Sequence, residues 1–368
     1  MNQHTQPLGR IDVLDGLRGI TLLFIFIVHL SQFFTPSTMG NLTTNAYVLF
    51  SNSSYPLFAF MFGISVVLLY DRLQKRELNP TPILFRRMLI LAPFGLIHLL
   101  FIFSGDALFS YAIAGLMLLL LVKIPQKWLL TLSIFFFVRG IAGNDIAQLI
   151  GIPLDISSML PESFSVVTSY FDRALGDLTY MLPGMYAYRA GLFTHLPKNR
   201  RLLWIGAPIF LIIGITVKAL FFYDMVDNVS ITILQLACLL VTTGYIFLFL
   251  AIGTSNKKVR SLLIPFQAVG RMAFTNYLLQ SLICVMLAID TEHAYFSGWG
   301  LIGEISEISL YGLGLFIFLL QILFSHFWLK RFSYGPLEWI WRMGTYWKIV
   351  PMKRKIVVTD NKQKASGM

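Results

Sequence analysis

Arg18 and His29 stand eleven residues apart in the run DGLRGITLLFIFIVHLSQFF, which starts at Asp15 and is otherwise almost wholly apolar. At about 100° per residue, eleven steps make three turns and roughly 20°, so both side chains leave the same helix face, about 16 Å apart along the axis. An ionisable group inside a membrane is costly and turns toward protein or a wet cavity. A guanidinium stays charged and grips phosphate through two parallel hydrogen bonds. An imidazole, with an ordinary pKa near about 6.5, suits proton removal. The pair reads as an anion anchor with a general base half a bilayer away. The ordinary alternatives are a snorkelling Arg18 at the membrane edge and a core His29 bonded to a neighbouring helix.

Two further clusters have the same mixture. FRRMLILAPFGLIHLLFIFSGDALFSYAIAG holds Arg86 and Arg87 at one end, His98 within the run and Asp106 at a tight Gly–Asp turn. His98 is a second candidate base. Asp106 could orient a base or an acceptor, or simply cap a helix. In VGRMAFTNYLLQSLI, Arg271 lies near the start, and Asn276 and Gln280 are four apart, on one helix face. The two amides fit a polar track beside a donor or acceptor, and equally fit interhelical hydrogen bonding.

The elements that must position these residues are membrane helices. The chain has 368 residues, 56% hydrophobic and 13% charged. A soluble domain carries about 25% charged residues, so this chain is too poor in charge to cover itself in water. Ten apolar runs of spanning length are read at about 18–35, 47–70, 87–104, 107–122, 127–142, 177–193, 202–223, 230–252, 268–289 and 308–328. With the N-terminus cytoplasmic, all but Arg139, Arg173 and Lys218 of the 29 Lys and Arg fall on the inner side, as the positive-inside rule requires. The expectation is an all-α polytopic membrane protein of about ten transmembrane helices with both termini cytoplasmic. One transmembrane domain covers 1–348, with halves at about 10–195 and 196–348, and 349–368 is a basic, disordered tail.

That asymmetry also explains the net charge of +11 without nucleic acid. The outer segment 143–176 is long enough to be an interfacial helix or a lid. GPLEWIWRMGTYWK reads as an amphipathic interfacial helix, with contact to the nucleotide end of a cytosolic donor as the minor alternative. Cys238 and Cys284 sit in apolar runs and pack as small residues. His4, His195 and His326 read as interfacial. His293 has Asp290 and Glu292 nearby, but not at metal-ligand spacing, so no metal is expected.

The Arg-Gly opening with a His eleven residues after the Arg resembles the first helix of the family 3 membrane acyltransferases. LDGLRGITLLFIFIVHL, GLIHLLFIFSGDALFSYAIAG, MLPGMYAYRAGLF, GRMAFTNYLLQSL and LLQILFSHFWLKRFSYGPLEWIWRMGTY together resemble the YeiB-like membrane proteins of the DUF 418 domain, from about Arg10 to Lys348. That family is grouped with transmembrane acyltransferases, including the enzyme that acetylates heparan glucosamine. Many of its members carry Asn where this chain has His29.

The resemblance implies transfer of an acyl group from cytosolic acyl-CoA to an extracytoplasmic hydroxyl or amine, a saccharide among the candidates, in a bacterial plasma membrane. Arg18, Arg86, Arg87 and Arg271, with the amides of Asn276 and Gln280, would hold the donor. His29 or His98 would be the base. A small-molecule permease and a non-catalytic scaffold are the alternatives.

Overall fold

The computed structural model describes residues 9–34, 40–150, 155, 165–226, 230–288 and 300–354. Of the expected lid segment 143–176, residues 151–154 and 156–164 lie outside these residues, and its two ends are helical. His293, His4 and most of the basic tail also lie outside.

The run that carries Arg18 and His29 forms α1 (Gly9–Phe33). The second apolar run divides into α2 (Asn41–Phe50) and α3 (Ser54–Gln74). The break is local chemistry: Asn52 adopts a left-handed conformation, φ 52°, which Asn tolerates better than most residues. The freed C-terminal carbonyl of α2 is met by the buried Lys218, whose Nζ donates to Ser51 O (2.6 Å) and Ser53 Oγ (3.2 Å).

α4 (Pro80–Ile97) opens on an Asn79 cap and runs into a π-helical turn at His98–Ile102. Then come α5 (Leu108–Leu121), α6 (Gln126–Ile150), α7 (Ser165–Arg189), α8 (Leu192–His195), α9 (Arg200–Phe222), α10 (Ile231–Gly253) and α11 (Lys257–Arg260). The ninth expected span is split at Met272 into α12 (Ile264–Arg271) and α13 (Ala273–Leu287). α14 (Glu307–Arg331) and α15 (Pro336–Tyr346) complete the chain. Pro93, Pro183 and Pro208 lie inside α4, α7 and α9 without ending them.

Among the described residues six segments are long and apolar enough to cross a membrane: Asp12–Phe33, Asn41–Gln74, Pro80–Ile102, Arg200–Phe222, Ile231–Gly253 and Glu307–Arg331. Leu108–Leu121 and Ala273–Leu287 are shorter apolar helices.

α1 packs against α3, α10, α12, α13 and α14, so its faces meet both halves of the chain. α3 lies on α7, α4 on α5, and α9 on α10. One apolar cluster joins the halves: Leu22 and Ile25 of α1 pack with Leu91, Leu108, Val269, Tyr277 and Phe318.

α1 and α12 cross with their backbones close together. A methyl added to Gly19 would overlap the Phe266 carbonyl, and one added to Gly270 would overlap the Asp15 carbonyl. Small residues allow such backbone contact in membrane helices. Each glycine is the chain neighbour of an arginine, Arg18 or Arg271, so the crossing also sets where those two guanidinium groups emerge.

Candidate functional site

The face shared by Arg18 and His29 borders two cavities. The first, about 460 Å³, is lined by His29 and Gln32 of α1, by Tyr55 at the start of α3, and by Arg173 and Tyr180 of α7. The second, about 320 Å³, is lined by Arg18, Arg72, Arg87, Arg271 and Arg342, with Ser65, Glu338, Trp341 and Tyr346. Phe58, Leu108, Tyr111 and Tyr277 line both. The cavities therefore share a wall, the waist, of two phenols, one phenyl ring and one leucine.

The arginine cavity is strongly cationic. Arg18 donates from NH1 to Asp15 Oδ1 (2.7 Å) and from NH2 to Ser65 Oγ (2.8 Å). The guanidinium of Arg87 lies 3.6 Å from the centre of the Trp341 ring, and the indole N–H of Trp341 donates back to Arg87 O (2.8 Å). Arg342 stands over Tyr334 and Tyr346, and its buried Nε has no hydrogen-bond partner.

Glu338, the acid of the lining, is spent on structure. Its Oε1 accepts from the N–H groups of Phe274 (2.8 Å) and Thr275 (3.0 Å), the first turn of α13, and its Oε2 accepts from Thr275 Oγ (2.5 Å). Burial raises this carboxyl above its ordinary value, against the pull of the Thr275 hydrogen bonds. Because an N-cap is worth about 0.5–2 kcal/mol, Glu338→Ala is expected to lower the melting temperature of the purified protein. It should also loosen α15 from α13, read as faster hydrogen exchange at Phe274 and Thr275.

The second histidine stands apart from both cavities. Asp106 Oδ2 accepts from Leu108 N (2.8 Å) and Phe109 N (3.2 Å), capping α5. Its Oδ1 lies 2.8 Å from His98 Nδ1 and accepts from Tyr277 OH at 3.2 Å. Asp106 thus caps α5 and touches the His98 imidazole at once. Through Tyr277 it also fixes one wall of the waist. The Phe103 ring lies between the histidines, 4.8 Å from the His29 ring and 6.3 Å from the His98 ring.

The remaining expected residues divide. Arg18, Arg87 and Arg271 line the arginine cavity. Arg86 is turned away, with Nε donating to Pro82 O (3.1 Å) and its guanidinium 5.5 Å from the Trp347 ring centre. Asn276 and Gln280 line neither cavity. Asn276 Nδ2 donates to Val269 O (3.2 Å) and Ser325 Oγ (2.9 Å). Gln280 Nε2 donates to Gln321 Oε1 (2.8 Å), and Gln321 Nε2 donates to Asn276 O (3.0 Å). These amides tie α13 to α14.

Arg72 is not singled out by sequence, and Arg342 reads mainly as part of an interfacial helix. Arg72 sits in DRLQKRE and looks like a positive-inside charge, and Arg342 sits in the aromatic segment assigned to the interface. Among the described residues no group of three or more His, Cys, Asp or Glu could hold a metal ion.

Residues 187–348 match the family described as "Protein of unknown function (DUF418)". The chain is similar to "Uncharacterized protein YxaH" of Bacillus subtilis (strain 168), 28% identical over 96% of this chain and 99% of that protein. It is also similar to "Uncharacterized 39.9 kDa protein in amylase 3'region" of Bacillus acidopullulyticus, 29% identical over 94% and 96%. "Uncharacterized protein YeiB" of Escherichia coli (strain K12) is 27% identical over 90% and 95%.

Proposed function

Starting from a chain that belongs to the YeiB-like, DUF418-containing family, we propose a transmembrane acyltransferase. It takes an acyl group from cytosolic acyl-CoA and delivers it to an extracytoplasmic hydroxyl or amine. The observation that carries the reading is the pair of cavities that share Phe58, Leu108, Tyr111 and Tyr277 as lining. One end offers five arginines, and the other offers a histidine with no side-chain hydrogen bond among the described residues.

In this reading the arginine cavity faces the cytoplasm. Arg18, Arg72, Arg87, Arg271 and Arg342 neutralise the phosphates of the donor, and the stacked Arg87 is held ready for two parallel hydrogen bonds. The thin acyl-bearing arm threads the waist. His29 accepts the proton of the acceptor hydroxyl or amine as its oxygen or nitrogen bonds to the thioester carbon. The carbon–sulfur bond then breaks, and the departing thiolate is protonated. The waist keeps bulk water from the thioester, which would otherwise be hydrolysed.

About ten spanning helices with both termini cytoplasmic are the topology of this proposal, with α5, α6, α7 and α13 completing the set beyond the six long apolar segments. The bilayer is then the plasma membrane, and the transmembrane part is a single domain.

Purified protein tests the donor half of the proposal. Acetyl-CoA should bind, and Arg87→Ala or Arg342→Ala should weaken binding about tenfold or more, the worth of one charge-assisted hydrogen bond. Undetectable acetyl-CoA binding to the wild-type protein would remove the reading.

A proton-linked permease is the second reading, favoured by Asp177. That carboxyl is buried, accepts from Tyr55 OH in the wall of the histidine cavity, and leaves Oδ2 without a partner. Under that reading Asp177→Asn abolishes proton-coupled uptake and acyl-CoA binding is absent.

A further inference from the structure

Among the described residues, Arg173 is the one permanently charged side chain that lines the histidine cavity, and no Asp or Glu lines it. The guanidinium itself stands in the wall. Its NH2 donates to the carbonyl of Gly105, another lining residue, at 3.0 Å. Among the described residues no carboxylate pairs with it. A guanidinium has five N–H donors, so one neutral carbonyl leaves most of the fork unspent and the charge uncompensated.

The nearby acids are occupied elsewhere. Asp172, the chain neighbour of Arg173, faces Arg139, with 3.6 Å between Oδ1 and NH2. Asp177, one helical turn on, is buried and accepts from Tyr55 OH. Asp106, next to Gly105 in the chain, is buried against His98 and accepts from Leu108 N, Phe109 N and Tyr277 OH. Behind the lining residue Ser51 stands a second basic group, the buried Lys218, which donates to the Ser51 carbonyl. The other polar lining is uncharged and suits hydroxyl groups, with Gln32, Asn52, Ser54 and Thr179 among it.

Such walls repel a cation and leave a neutral guest without a partner for the guanidinium. An oxyanion meets the fork through charge-assisted hydrogen bonds, which a half-enclosed setting strengthens. We infer that this cavity takes a small hydroxylated anion, with its carboxylate or phosphate on Arg173 and a hydroxyl toward His29. The role of that anion as acyl acceptor rests on the acyl-transfer reading. Its binding does not, and is measurable with no donor present.

The test puts a reporter inside the cavity. Gln32 lines this cavity and not the arginine cavity, so anions held by the five arginines do not shield position 32. The Gln32→Cys protein is held in phosphatidylcholine nanodiscs at constant ionic strength. Alkylation of position 32 by the neutral reagent N-ethylmaleimide is followed by mass spectrometry. The competing probes are glycerate, glycerol phosphate, glycerol and the cationic aminopropanediol. The two anions should slow alkylation severalfold, and glycerol and aminopropanediol should not. Adding Arg173→Gln should raise the half-protecting concentration about tenfold, the worth of one charge-assisted hydrogen bond. Protection by one anion alone supports the site and identifies its oxyanion. Equal protection by glycerol or aminopropanediol, no protection by either anion, or protection unchanged by Arg173→Gln would each overturn the proposal. The comparison of probes keeps Arg173 intact, so it stands even where Arg173→Gln fails to fold. Protection without any acetyl-CoA binding would keep the anion site and remove the acyl-transfer reading. Acetyl-CoA binding without protection would do the reverse.

Discussion

His29→Ala is expected to lower acyl transfer by about 10²–10⁴-fold, the usual contribution of a positioned general base, while acyl-CoA binding stays nearly unchanged. The split follows from placement. His29 borders the cavity at the far side of the waist, and the arginines that would hold the donor border the other. A base that touches only the acceptor affects the chemical step and not the docking of the donor. His29→Asn sharpens the experiment, because an amide preserves hydrogen bonding but cannot take the proton at neutral pH. If His29 is the base, both variants lose rate together. If it only positions the acceptor, Asn rescues what Ala loses. Full activity in the Ala variant would remove His29 from the chemistry.

Gly270→Ala should unfold the purified protein or destabilise it beyond the ~1–3 kcal/mol of ordinary overpacking. The added methyl would run into the Asp15 carbonyl and the backbone of Gly19, and no side chain can turn aside to admit it. Gly312→Ala is the matched control: a methyl there meets nothing within 4 Å. The comparison is read by thermal unfolding in detergent, with the Gly312 variant close to wild type and the Gly270 variant far below it. Similar melting temperatures would mean that α1 and α12 do not meet as closely as described. Any folded fraction of the Gly270 variant should also bind acyl-CoA weakly. Separating the helices moves Arg18 and Arg271, the residues next to the two glycines in the chain.

The sequence legibility of this site was uneven for physical reasons. Arg18 and His29 could be placed on one face because an ionisable residue stands out against an apolar helix and helical periodicity does the rest. The all-helical class followed from the scarcity of charge. The cuts within expected spans were harder to see. A run that is apolar on average gives no sign of the π turn at His98, nor of the break at Met272, because hydropathy is indifferent to backbone path. The break between α2 and α3 did leave a trace in the Ser51–Asn52–Ser53 run.

Facing was the other weak point. Arg86 and Arg87 are chain neighbours of one type, yet only Arg87 turns to the cavity, since adjacent helical residues point about 100° apart. The aromatic segment of α15 has the composition of an interfacial helix. Its tertiary position over the ends of α4 and α13 is what makes Trp341 and Arg342 cavity walls. Asn276 and Gln280 are polar enough for a substrate path, but their partners on α14 lie about 45 residues further along the chain, at a separation that no local pattern encodes.

The account turns on one passage, from the arginines through the waist to His29. Gln32 lines the histidine cavity one turn beyond His29, so Gln32→Cys sets a trap at its far end. Coenzyme A activated as a pyridyl disulfide would then react only if its thiol end reaches that cysteine, releasing thiopyridone and leaving a mixed disulfide of coenzyme A mass. The passage predicts this adduct at position 32, absent from the wild-type protein with its buried Cys238 and Cys284. It also predicts suppression of the adduct by adenosine 3′,5′-bisphosphate, which would occupy the arginine cavity without an arm. No adduct, or an adduct that the bisphosphate leaves untouched, would contradict it.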